Sequence, residues 1–451
     1  MSLKLTHYSI IIGLVFALAL LAIQSLFIPI GVLILLSVTI FIFSNLRKGI
    51  LILFVTKPII DATWAFEVVP GFTLLQVVGI LFPLITLTYF LQYRQDIKSP
   101  IHSSLMYLFL ISNIISALIT IISNTELFSI INSSTIFLQI SNLVAVYLLI
   151  PQLISNEVQF KRFIFLLLIS GLFPIVTGLL QILGFLPTLK TLRTTGELIR
   201  ISGWYYDSAN MRFYAFQTLL AIVMYLTIHN HQKNIAKKLL LALYACFSLF
   251  VLYKTYSKSA LVILGLSFII YTFTTRKYLA GMLVIVTVTF FILTYKDVTQ
   301  DIERLVWKEI KFIEDKETVY TNSLLSGRVG LWEQMITQFF ESDIVQQLFG
   351  YNYLIGRRAH NDFVRILIAS GFIGLMIYIV ILFTLGRSVL RSFIEHRDII
   401  SIAAIVVFIA FIIDSVGLTM TLQPGYCWVT FGIMSISINR YELLQNVRKL
   451  A

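Results

Sequence analysis

The chain has 451 residues, of which 58% are apolar and only 12% charged, with 34 Lys and Arg against 22 Asp and Glu and a net charge of +12. Mean hydropathy is +0.90. Soluble domains carry about 25% charged residues, so this composition excludes a soluble enzyme, a nucleic-acid-binding domain and a disordered chain. It leaves an all-α polytopic membrane protein, because the apolar runs far exceed the roughly 9–11 residues that a membrane strand needs.

Fourteen candidate spans follow in chain order, centred near residues 16, 35, 55, 82, 112, 141, 173, 220, 246, 266, 286, 373, 408 and 431. Twelve is the fallback, since the third and the last are weak. Lys4 and the apolar run from Tyr8 to Ile23 read as an uncleaved first helix, because a second span follows at once. Lys57 and Pro58 cut the third span, so a broken or tilted helix is expected there. Neither Cys246 nor Cys427 points to a disulfide framework, as both lie inside apolar runs. The whole of 1–451 reads as one integral membrane domain.

Charge sets the orientation. With the N-terminus in the cytoplasm, the cytoplasmic segments carry 18 Lys and Arg, among them Arg47, Lys48, Lys161, Arg162, Lys237, Lys238, Arg387 and Arg391. They carry five acids: Asp96, Glu157, Glu395, Asp398 and Glu442. That is the positive-inside pattern, and it puts both termini in the cytoplasm. Two longer segments then face outward, at 186–210 and 295–361. The second shows apolar residues at helical spacing from Val298 to Ile313, and a further helix is expected from Arg328 to Phe340, carrying Trp332, Met335, Ile336 and Phe339. Together they read as a helical lid.

The other 16 Lys and Arg fall on the outer side, many beside a span, including Arg200, Arg212, Lys254, Lys258, Arg328, Arg357, Arg358 and Arg365. Two readings fit them. One is a basic cavity for an anionic group, for which the planar fork of Arg suits two phosphate oxygens. The other is side chains reaching for lipid headgroups. Of six histidines, only His360 faces out. An imidazole titrating near 6.5 can take a proton from a hydroxyl; an interfacial His at a helix start is the plainer alternative. One outer His with scattered carboxylates is no zinc set. No Gly-x-Ser-x-Gly and no nucleotide-type Gly loop occurs. Neither metal nor cofactor is expected.

The order of short motifs carries a resemblance. Arg200-Ile-Ser-Gly203 precedes Asp207 and Asn210. Ser257-Lys258-Ser259 opens a later span. Ser326-Gly327-Arg328 and Trp332 follow in the long segment. Phe349-Gly350 precedes His360-Asn361-Asp362-Phe363, and Gly371-Phe-Ile-Gly374 completes the set. Over roughly residues 195–380 the chain resembles the O-antigen ligase and O-antigen or capsular polysaccharide polymerase superfamily of bacterial envelopes. Lys258 stands where that family often has Arg, and Ser370 where it often has Glu, so Asp362 or a backbone carbonyl must orient His360.

The resemblance implies a metal-independent, inverting glycosyl transfer at the periplasmic face of the inner membrane, from an undecaprenyl-pyrophosphate-linked oligosaccharide. It implies that His360 is the base and that Arg200, Arg328 and Lys258 hold the pyrophosphate. Arg357, Arg358, Asn361, Asn210 and Tyr205 are the further expected substrate contacts. Membrane lipid and a chain-length regulator are the expected partners; nucleic acid is not. Polymerase is preferred to ligase, with a lipid-linked oligosaccharide flippase as the rival from another class. Transfer activity is expected to survive EDTA in vitro; its loss on chelation, with restoration by magnesium or manganese, would revive a carboxylate-bound metal.

Overall fold

The computed structural model describes residues 45–69, 72–94, 99–123, 127–186, 194–195, 198–229, 234–276, 278, 282, 298–301, 303–304, 328–350 and 359–448. Eleven long helices stand at eleven of the expected span centres: α1 Leu46–Ala62, α2 Leu74–Gln92, α3 Ser103–Ser123, α4 Leu127–Leu153, α5 Glu157–Ile182, α6 Ser208–Ile228, α7 Ile235–Lys254, α8 Lys258–Thr275, α11 Asp362–His396, α12 Ile399–Gly417 and α13 Pro424–Arg448. The centres near 16, 35 and 286 lie outside the described residues. Among those described, nine helices are long and apolar enough to cross a membrane; α1 and α13, the two weak spans of the sequence, fall short. The chain is a multi-pass α-helical membrane protein.

Two shorter helices precede α11: α9 Arg328–Phe340, with the bounds the sequence pattern indicates, and α10 Ile344–Phe349. Of the amphipathic run expected from Val298 to Ile313, residues 298–301, 303 and 304 are described and helical. The strands are minimal: β1 Glu67–Val69 pairs with β2 Phe72–Thr73, and β3 Thr194–Thr195 with β4 Leu198–Ile199, both antiparallel. Helix starts follow ordinary capping chemistry. Thr73 and Gln76 form a capping box on α2, and Asn156, Asp207 and Asp398 cap α5, α6 and α12 through their side chains.

The chain divides into two compact units. The first holds α1, α2, α5, α6 and most of α7. Here α5 packs on both α1 and α6. The expected break in α1 does not occur: the helix runs through Pro58 to Ala62. Proline lacks the N–H that would bond the Phe54 carbonyl, and Ser170 of α5 donates to that carbonyl instead, at 3.4 Å. A neighbouring helix thus satisfies what proline removes. Lys57 is buried and paired with Asp61 one turn on, and Tyr214 of α6 donates its hydroxyl to the same carboxylate.

The second unit holds α3, α4, the β3–β4 pair and α8 to α13. In it α13 packs on α4 and α12, and α11 packs on α3, α10 and α12. α11 is interrupted at Gly371, whose φ of 66° is left-handed. Two of the sequence motifs meet at this break. A Cβ on Gly371 would run into the backbone of Leu348 and Phe349, and one on Gly350 into that of Ala369 and Ser370. The hydroxyl of Ser116 on α3 donates to the Ala369 carbonyl beside the interruption. Gly371→Ala is therefore expected to lower stability by about 3 kcal/mol or more, from strained φ and backbone overlap together. Gly265→Ala in α8, where nothing lies within 4 Å of the new methyl, is expected to stay within about 0.5 kcal/mol. Thermal unfolding of the purified protein in detergent checks both.

Candidate functional site

α9 brings the first two site residues into place. Arg328 is its first residue and Trp332 lies one turn on, so both share a face. Met335 and Phe339 on this helix are buried against Ala359, Val364, Leu367 and Ile368, which seats α9 against the start of α11. Trp332 Nε1 donates to the Ala359 carbonyl at 2.5 Å, pinning the turn that carries His360.

His360 is half-buried and has a φ of 47°. A left-handed backbone at a residue with a Cβ costs about 1–2 kcal/mol. Asn361 returns to extended backbone and caps α11, its Oδ1 accepting from the N–H groups of Phe363 and Val364 at 2.8 and 3.1 Å. Its Nδ2 donates to the Val416 carbonyl at 3.1 Å, and Arg328 Nη1 donates to the next carbonyl, Gly417, at 2.6 Å. Consecutive carbonyls at the end of α12 therefore hold Arg328 and Asn361 side by side, with His360 adjacent in the chain. The motifs around residues 328 and 360 form one site. The last carbonyls of a helix have no intrahelical donor and carry partial negative charge, and a guanidinium and an amide answer both needs. One edge of Arg328 is thus structural.

A second group lies in the same unit. Arg200 Nε donates to the Thr255 carbonyl at 2.8 Å, in the turn between α7 and α8, and Lys258 opens α8 immediately afterwards. Asp301 accepts from the hydroxyls of Tyr253 and Tyr256 at 2.9 and 2.8 Å and lies 3.9 Å from Lys254. Burial, with the Asp301 carboxylate alongside, pushes the Tyr256 phenol above its usual range, so it stays a donor. α8 packs on α12, whose end carries Arg328 and Asn361.

The remaining expected residues fall elsewhere. Asn210 and Tyr205 belong to the first unit. Asn210 sits in the first turn of α6. Tyr205 is fully buried, its ring 5.3 Å from that of Tyr214, while its neighbour Tyr206 is exposed. Burial, with Asp61 adding to it, holds the Tyr205 phenol protonated. Arg357 and Arg358 lie outside the described residues. Arg365, grouped by sequence with the outer cations, is instead 1% exposed and bonded to Asp362 at 3.3 Å. Asp362 directs its oxygens to Thr421, Ser415 and Arg365. Thr421, Ser415 and the two α12 carbonyls escaped the sequence reading, because a threonine or a backbone oxygen in an apolar region carries no local signal. Among the described residues no cluster of His, Cys, Asp and Glu is set to hold a metal ion.

No protein-family model matches this chain, and no curated protein matches it. Asn361→Asp retains the capping oxygen and loses the donor to Val416. It is expected to cost about 1–2 kcal/mol, between wild type and Asn361→Ala, which loses the cap as well; thermal melts of the three proteins check the order.

Proposed function

We propose that this protein polymerises lipid-linked oligosaccharide repeat units into O-antigen or capsular polysaccharide, at the periplasmic face of the bacterial inner membrane. The observation that carries the reading is the pairing of Arg328 and Asn361 on consecutive carbonyls with His360 adjacent. A fixed guanidinium beside the residue that follows an imidazole suits a reaction between a diphosphate leaving group and a sugar hydroxyl.

The acceptor hydroxyl attacks the anomeric carbon of the donor glycan and its proton passes to His360. The bond from that carbon to the diphosphate oxygen breaks, and the electron pair leaves with undecaprenyl pyrophosphate. Arg328, with Arg200 and Lys258, stabilises the charge that grows on the leaving oxygen. Two membrane-held substrates meet at one depth, which supplies orientation. The buried charges favour this over a transporter. Lys57, Asp61, Arg212, Asp362, Arg365 and Asp414, the buried charged residues among those described, all lie within two turns of a helix end. In the orientation set by positive loops, the four helix ends that carry these six residues all face outward. A flippase would hold such charges at mid-span.

His360→Ala is expected to lower polymer formation at least about a hundredfold while the protein still inserts and folds. Polymer of wild-type length from that variant would remove His360 from the chemistry. Deletion of the protein is expected to leave single repeat units on the cell surface; polymer retained on its lipid carrier would favour the ligase instead.

A further inference from the structure

We infer that Asp362, Arg365 and Thr421 form a positioning clamp that sets the α12–α13 turn, and through it Arg328 and His360; the inference rests on the proposed function and extends it to residues that touch no substrate. All three side chains are buried, at 0%, 1% and 0% exposure. The Asp362 carboxylate receives the Thr421 hydroxyl at 2.6 Å, the Thr421 N–H at 3.0 Å, the Ser415 hydroxyl at 3.2 Å and Arg365 Nε at 3.3 Å. Arg365 Nη2 closes a ring by donating to the Thr421 hydroxyl at 2.7 Å.

The position of these bonds gives them a function. Ser415 and Thr421 bracket the segment whose Val416 and Gly417 carbonyls hold Asn361 and Arg328. One carboxylate therefore grips both sides of the turn that places the guanidinium. The same residue opens α11, directly after His360 and Asn361. Asp362 thus ties the start of α11, next to His360, to the end of α12 that holds the Arg328 guanidinium, entirely within one compact unit. A buried ion pair seldom adds stability over apolar side chains of the same volume. What it supplies is direction, because four donors aimed at one carboxylate admit one arrangement of the turn.

Thr421→Val tests the clamp, since it keeps the side-chain shape and removes both hydroxyl bonds. Polymer formation in membranes is expected to fall about ten- to a hundredfold. In the purified full-length protein, amide exchange should quicken across 415–422 and in the first turn of α9. Thr421→Ser is expected to restore both. Arg328→Lys combined with Thr421→Val should lose less activity than the product of the two single losses, because both act in part through the Arg328 guanidinium. Unchanged exchange in the first turn of α9, or losses that multiply in the double variant, would overturn the clamp. Wild-type membranes that make no polymer would count against the proposed function, whereas the exchange result bears on the clamp alone.

Discussion

The last carbonyls of a helix have no donor within it, and the end of α12 finds donors in two neighbouring segments of the second unit. Arg328 from α9 and Asn361 from the start of α11 supply the donors, one carbonyl apart. These two bonds add to the apolar packing that already joins the three helices. The arrangement holds a cation in a defined orientation. Its attachment to a helix end offsets part of its desolvation and leaves the guanidinium plane fixed rather than roaming among headgroups.

The two units handle buried charge in a similar way. In the first, Lys57 and Asp61 pair within one helix and Tyr214 adds a hydroxyl from another. In the second, Asp362 and Arg365 pair within one helix and Thr421 adds a hydroxyl from the next turn. Each case sets opposite charges within one turn and brings the remaining donors from a different segment. That is the economical way to keep ions in a low-dielectric interior, because a carboxylate with several donors is far less costly than a bare one.

The spans were legible in the sequence because a run of about 20 apolar residues has few other uses. α9 was legible because Trp332, Met335, Ile336 and Phe339 recur at helical spacing. Pro58 misled, since the hydroxyl that replaces its missing donor comes from Ser170, more than a hundred residues away in the chain. Arg365 misled for a similar reason: as a cation near a span end it resembles Arg200, and only packing reveals that it is enclosed with Asp362. The glycines at 350 and 371 were visible as motifs, yet their mutual approach was not, because close backbone contact leaves no mark beyond the absence of a side chain. Asn361 caps α11, a duty that sequence alone does not separate from ligand binding, since Asn at a helix start is both a common cap and a common ligand.

The interruption at Gly371 has a mechanical consequence. The stretch from Asp362 to Ser370 is held by Thr421, Ser415 and Ser116 rather than by continuity with the long remainder of α11. The helical backbone is not continuous across the glycine, so the two stretches of α11 are not one unbroken rod. The end that follows His360 is thus anchored apart from the shaft behind it.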